Sequence, residues 1–318
     1  MTPAKYNHVT AIRGQLTRRQ RPQRMEEAFQ SRLHKPLSST CFEVEYTQRD
    51  VQRNGMGGWR MMFKELAESR RLIRLLALRD ISVRYRQSVL GYAWAIIPQV
   101  VTVGLFAFLN AWRVLPTGET RIAYVAYASW GISVWQLFAA CLMGCTTSLV
   151  SGGSLVTKVN FPKEALVIAA LGQPTFDFIV RLVPVIAVFA WYGVVPSPGV
   201  VFLPLVLLPV MLLALGLGFI LSLGNLVVRD TGNSVGMALT IGMFLTPVLY
   251  PPPLRWPYGL VNILNPVAPL LNASQDLIAD GILTRPDMLV ISCAFSFLLV
   301  FVGWRVFRVT LPRVSGYA

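Results

Sequence analysis

From about residue 93 onward the chain is a series of long apolar runs separated by short polar or proline-containing breaks. No charged residue lies between Arg121 and Lys158 or between Arg181 and Arg229, and the second run is interrupted by VVPSPG at Val194–Gly199. A hydrocarbon core takes about 20 apolar residues per helical crossing, so this pattern predicts an all-α integral membrane protein. Six transmembrane helices are expected, near Ala93–Leu115, Ile122–Val150, Ala165–Val195, Val200–Val228, Ser234–Tyr250 and Met288–Phe307.

Before the first span the pattern changes. Between Phe63 and Arg86 the residues Leu66, Leu72, Ile73, Leu75, Leu76, Ile81 and Val83 recur largely at helical spacing, with Arg70, Arg71, Arg74 and Arg79 among them. This predicts an amphipathic helix lying along the inner interface, with its Arg side chains reaching out to phosphates. Three regions follow: residues 1–55, a cytoplasmic interfacial helix over 56–92, and a six-span domain over 93–318. Residues 1–55 are polar and rich in Arg and Gln, so a disordered basic extension is expected. No apolar core of a secretory signal precedes Leu72. Met25 and Met56 are alternative starts, which leaves open both an over-extended gene start and a regulatory tail.

Composition fits the membrane reading: 54% hydrophobic residues, 14% charged and a mean hydropathy of +0.54. The net charge of +14 does not point to nucleic acid, because residues 1–93 hold 18 Lys/Arg against 8 Asp/Glu, which leaves only +4 beyond them. Basic charge gathered before the first span suits a cytoplasmic face near anionic lipid, where each Lys or Arg is worth about 1 kcal/mol. Orientation follows from Lys and Arg near the span ends. With the N-terminus inside, Arg79, Arg84, Arg86, Lys158, Lys163, Arg229, Arg305, Arg308 and Arg313 face the cytoplasm, while Arg113, Arg121, Arg255 and Arg285 lie outside. Both termini are therefore expected in the cytoplasm.

Little chemistry is left inside the membrane. Asp177 and Arg181 are the ionisable residues well within an expected span, four apart on one helix face. An ion pair between them would lower the cost of inserting either, and contact with a transported ligand is the alternative. Most Trp and Tyr residues fall near span ends, as interfacial belts require. Trp130 and Trp135 sit deeper in the second span and are candidates for lining a passage. Both histidines, His8 and His34, lie in the N-terminal extension, so acid–base or metal chemistry in the membrane part has no imidazole. Cys141, Cys145 and Cys293 fall within spans and are expected to pack as apolar residues. A membrane glycosyltransferase would show clustered carboxylates at one face, and none are seen in the sequence.

Two polar connections stand out. The short loop Gly152–Glu164 carries Lys158, Phe161, Pro162, Lys163 and Glu164, with Pro162 suited to the first turn of the next helix. An ordinary positive-inside loop would explain its lysines but not the adjacent apolar Val156, Val159 and Phe161. Residues Tyr250–Asp287 are too long for a tight turn and too polar to span. Proline-rich breaks divide this region, and Leu270–Gly281 is suited to a short helix.

Three ordered blocks resemble the permease subunits of polysaccharide-exporting ABC transporters, and this resemblance would make a sugar or pyrophosphate the ligand for Asp177 and Arg181 and a glycan path the role for Trp130 and Trp135. RDISVRYRQSVLGYAW at Arg79–Trp94 is similar to the family's opening signature, and LVTKVNFPKE at Leu155–Glu164 to its cytoplasmic segment. FLTPVLYP at Phe244–Pro251, with LNPVAPLLNASQDLIADG at Leu264–Gly281, is similar to the stretch before its last span. The resemblance implies a homodimer, in the bacterial inner membrane, that engages two copies of a cytoplasmic ATPase and exports a lipid-linked polysaccharide. It makes Leu155, Lys158, Val159, Phe161, Pro162, Lys163 and Glu164 the ATPase-coupling segment. Arg79, Asp80, Arg84, Tyr85, Arg86, Ser88, Gly91 and Trp94 become an interfacial gate, and Pro247, Tyr250, Pro251, Asn265 and Pro266 belong to outer, re-entrant gate helices. Export of a drug, glycolipid or lipid by the same architecture is the alternative. No G-x-x-x-x-G-K-[ST] loop occurs. ATP and Mg are accordingly expected on the partner chain, with no cofactor on this one.

Overall fold

The computed structural model describes residues 56–86, 91, 93–112, 120–158, 161–251 and 264–314. The expected N-terminal extension, Ser88 and Val159 lie outside them. Among the described residues there are ten α-helices, one 3-10 helix and no strand. In order they are α1 (Met56–Glu68), α2 (Arg70–Arg86), α3 (Ala93–Ala111), α4 (Tyr124–Lys158), α5 (Glu164–Ala169), α6 (Gly172–Trp191), a 3-10 turn (Pro198–Phe202), α7 (Leu203–Val227), α8 (Asp230–Leu245), α9 (Val267–Ala279) and α10 (Pro286–Val314).

Five stretches are long and apolar enough to cross a membrane: Ala93–Ala111, Tyr124–Gly153, Glu164–Trp191, Pro198–Val227 and Pro286–Arg313. Each coincides with an expected span. The fifth expected span, Ser234–Tyr250, is only partly helical, because α8 has 16 residues and stops at Leu245. Thr246 turns extended (φ −88°, ψ 142°), as steric conflict with the ring of the following Pro247 demands. The chain then continues through Val248 and Leu249, both buried.

α4 is the hub, with 67% of its apolar window buried against 22% for the first and last spans. Its serines and threonines are tolerated there because their hydroxyls bond back to the preceding turn: Ser133 Oγ donates to Ser129 O at 2.6 Å and Thr146 Oγ1 to Leu142 O at 2.7 Å. Cys141 and Cys145 are fully buried, packing as small apolar residues as expected.

Helix pairs close on small residues, the usual device where lipid gives apolar side chains no reason to prefer protein. At the α7–α10 crossing a Cβ on Gly216 would stand 2.7 Å from Leu299 C, and one on Gly303 would run into Gly216 O. α8 and the residues after it run antiparallel to α4. Gly232 lies beside Thr147, Gly236 beside Met143 and Gly242 beside Trp135, while the Tyr127 hydroxyl donates to Tyr250 O at 3.3 Å.

The amphipathic segment is two helices instead of the single one expected, with the break at Ser69. Its halves have different docking targets. Phe63 of α1 meets Trp304 of α10 edge-on at 5.2 Å, whereas α2 lies against α6, Ala77 facing Gly172. On α2 Leu76 is buried while Leu75, Leu78 and Val83 are exposed, which suits a helix with protein on one side and lipid on the other.

Candidate functional site

Gly153 ends the straight part of α4. Its φ of +33° lies in the left-handed region, which costs glycine little, and residues 154–158 continue as a kinked final turn. A second left-handed glycine, Gly91 (φ +49°), sits between α2 and α3, giving that gate position a conformational reason. The expected span end at Val150 and loop start at Gly152 fall beside this kink, and the helix resumes beyond it to Lys158.

Below the bend, Phe161 packs against the apolar cluster that holds Leu166, Phe219 and Trp304, and Lys163 Nζ stands 4.4 Å from the centre of its ring. Partial burial holds the Lys163 ammonium below its usual pKa. Pro162 precedes the helix instead of standing in its first turn: α5 begins at Glu164, and Pro162 O accepts from Ala165 N. Glu164 is buried. Its carboxylate lies 3.9 Å from Arg308 Nη1, and Arg308 Nη2 donates to Glu65 Oε2 at 2.5 Å. Residues 155–158 are helical, and the side chains of Leu155 and Lys158 lie outside what the structure describes.

Beside this segment α2, α4, α5 and α6 enclose a cavity of about 1000 Å³. Arg79, Asp80 and Arg84 line it from α2, Thr147, Ser148 and Ser151 from α4, and Gln173 and Asp177 from α6. Arg79 donates from Nε and Nη2 to Asp80 Oδ1 at 2.9 and 2.8 Å. Arg84 Nη1 lies 3.8 Å from the buried Asp177 Oδ2. The Gln173 amide oxygen, turned toward the same guanidinium, accepts from its Nε and Nη1. Arg181, also buried, donates from Nε to Ala95 O at 3.1 Å. The structure thus gives Asp177 a cation from another helix, beyond the Arg181 expected from spacing. The wall is mixed: guanidinium donors from α2 face Val83, Met143 and Leu166 as well as the hydroxyls of Thr147, Ser148 and Ser151, which donate back to the preceding turn of α4.

Gly172 sets the distance of α2 from this cavity, since a Cβ there would come within 2.5 Å of Ala77 Cβ. Neither side chain can bend away, so Gly172→Val is expected to lift α2. Tryptic cleavage at Arg70, Arg71 and Arg74 should then become several-fold faster in the detergent-purified protein, as loss of docking exposes that backbone. Unchanged cleavage would mean that α2 is held elsewhere. Tyr85 and Arg86 belong to α2 with undescribed side chains, and Trp94 is half exposed at the start of α3.

Trp130 and Trp135 require a correction. Both are about 95% buried in this chain's core (4% and 5% exposed). Trp130 Nε1 donates to Ser274 Oγ at 3.0 Å and its ring meets Phe178 edge-on, while Trp135 packs on Phe138 and Gly242. No ring face is left for a sugar in this conformation, so they are packing residues. Hydropathy alone does not separate such residues from lining ones.

At the opposite end of α4 Arg121 Nη1 binds Asp280 at 2.9 Å and lies 3.7 Å from Asp276, tying α9 to the approach of α4. Asn265 Nδ2 donates to Thr246 Oγ1 at 2.7 Å, and its Oδ1 accepts from Val267 N, so it organises the start of α9 next to Pro266. Pro247 is buried, and the Tyr250 hydroxyl donates to Phe244 O at 3.0 Å. Pro251 ends this described stretch.

Comparison with known proteins places this geometry. Residues 71–279, from α2 to the end of α9, match the family described as ABC-2 type transporter. The O-antigen export system permease protein RfbA of Myxococcus xanthus is 26% identical over 250 residues, covering 78% of this chain and 95% of that protein. A Klebsiella pneumoniae protein of the same description is 26% identical over 247 residues, 74% of this chain and 91% of its own length. With the match running through α2, the loop before α5 and four of the five apolar spans, the chain belongs to the ABC-2 type transporter family.

Proposed function

We propose that this chain is the membrane subunit of an ATP-driven exporter of lipid-linked polysaccharide. The observation that carries it is the alignment with O-antigen export permeases over nearly their whole length. The cytoplasmic cavity supports it, because Arg79 and Arg84 supply charge for an anionic lipid headgroup and Thr147, Ser148, Ser151 and Gln173 can bond to hydroxyls. With no P-loop in the sequence, ATP binds a cytoplasmic partner, two copies serving a homodimer of this chain. The segment Leu155–Glu164 docks that partner, and Asp177, facing Arg84, keeps the α2–α6 contact closed at rest.

The topology we infer has six crossings with both termini in the cytoplasm of a bacterial inner membrane. Asp230–Tyr250 follows α4 from Thr147 to Tyr127, about 30 Å of helix at 1.5 Å per residue. That length matches a hydrocarbon core of about 30 Å, which supports a sixth crossing made of a short helix and an extended end. α9 begins beside Thr246 and ends beside Arg121, and 9 of its 13 residues are buried. This arrangement supports a re-entrant helix in the outer half of the membrane.

Co-purification from native membranes with the ATPase encoded beside it tests the reading. The wild type should bring the ATPase down in a stable complex, and Phe161→Asp, which puts a charge on the half-buried ring position, should lower its recovery at least tenfold. A wild-type chain that recovers no ATPase would remove the proposal.

A further inference from the structure

The cluster Glu65–Arg308–Glu164 joins three elements that the sequence keeps far apart: α1, the last span, and the last residue of the coupling segment. All three side chains are largely buried, with 16%, 11% and 9% of their surface exposed. Burying such a group for stability alone gains little, since well-packed apolar residues of similar size usually serve as well. What a guanidinium held between two carboxylates provides is fixed direction and distance.

The surroundings give that geometry a use. Gly153 supplies a bend at one end of the coupling segment, and Glu164 anchors the other. α5 is firmly packed, with Ala165, Leu166 and Val167 buried. α1 continues through Ser69 into α2, which carries Arg79 and Arg84 over the cavity. We propose that Arg308 is a positioning residue that transmits displacement of the coupling segment through Glu164 and Glu65 to α1, and so to the roof of the cavity. This rests on reading Leu155–Glu164 as the ATPase-docking segment.

The test uses the full chain with its ATPase in phosphatidylethanolamine–phosphatidylglycerol vesicles. Lys64, exposed on α1, is replaced by Cys and labelled with bimane in a Cys41→Ser, Cys293→Ser background. ATP with vanadate should change the emission of the otherwise wild-type protein. Arg308→Gln should reduce that change at least fivefold while the ATPase stays bound and hydrolyses within twofold of normal, and Arg308→Lys should retain at least half of it. Glu65→Gln should match Arg308→Gln, and it provides an independent variant if Arg308→Gln does not fold. Full amplitude in Arg308→Gln or Glu65→Gln overturns the proposal, as does an unresponsive wild type with the ATPase bound and active. A wild type that binds no ATPase removes the docking reading itself and this inference with it.

Discussion

Asp177→Ala is expected to lower the amount of folded protein in the membrane severely, with a destabilisation of about 3–5 kcal/mol. The carboxylate is 3% exposed and faces Arg84, while Arg181 on the same helix is also buried. Removing it strips a buried counter-charge from that site, which is costlier than never having had charges there. Arg84 is half exposed and can swing toward the headgroups, as long cationic side chains do. Arg181 has no such route, because it is buried midway along α6 and directed at Ala95 O. The double variant Asp177→Leu/Arg181→Leu should therefore recover much of the lost protein, measured by fluorescence-detected size exclusion. Export in that double variant separates two roles. Recovery of both fold and export makes Asp177 purely structural, whereas recovery of the fold without export means its carboxylate also serves the cavity. A single Asp177→Ala protein that is as abundant and as thermally stable as wild type would contradict the account of this site.

Gly303→Leu should be comparably damaging for a steric reason. The α7–α10 crossing brings backbone against backbone: a Cβ on Gly303 would occupy space already taken by Gly216 O, and one on Gly216 would stand 2.7 Å from Leu299 C. Neither obstacle is the flexible end of a side chain, so the helices must separate. Overpacking a fitted interface costs about 1–3 kcal/mol and sometimes more. Separation here also disturbs Phe219 on Phe307, stacked at 5.3 Å one turn further along. Gly303→Ala should show a smaller drop in apparent Tm than Gly303→Leu, in that order. Equal stability of all three proteins would mean that the crossing is looser than described.

Much of this architecture was legible from charge alone. Long stretches with few or no Asp, Glu, Lys or Arg marked five spans, because an uncompensated charge in hydrocarbon is too costly to scatter at random. The expected span Ser234–Tyr250 was only partly helical, since hydropathy does not register that Pro247 forces Thr246 out of the helix. The break at Ser69 was hidden for a similar reason. Apolar spacing continues through it, and only the divergence of the docking partners, Trp304 for α1 and Gly172 for α2, splits the segment. Asp177 was visible because a charge within a span is conspicuous, but its contact with Arg84 was not, because spacing rules extend only along one helix. Arg308 counted merely as one more inward-facing cation, while its partner Glu65 lies 243 residues away. Trp130 and Trp135 illustrate the opposite error. Sequence showed flat rings within a span, but only the assembled core shows both faces taken.

The most direct test is to follow the glycan itself in cells lacking this chain, using pulse-labelled lipid-linked polysaccharide and spheroplasts to separate inner from outer material. The deletion strain, and equally a strain whose partner ATPase cannot hydrolyse ATP, should accumulate the lipid-linked polymer on the cytoplasmic side and lose it from the surface, with wild-type protein restoring export. Surface polymer at normal levels in the deletion strain, with none retained inside, would contradict the export role.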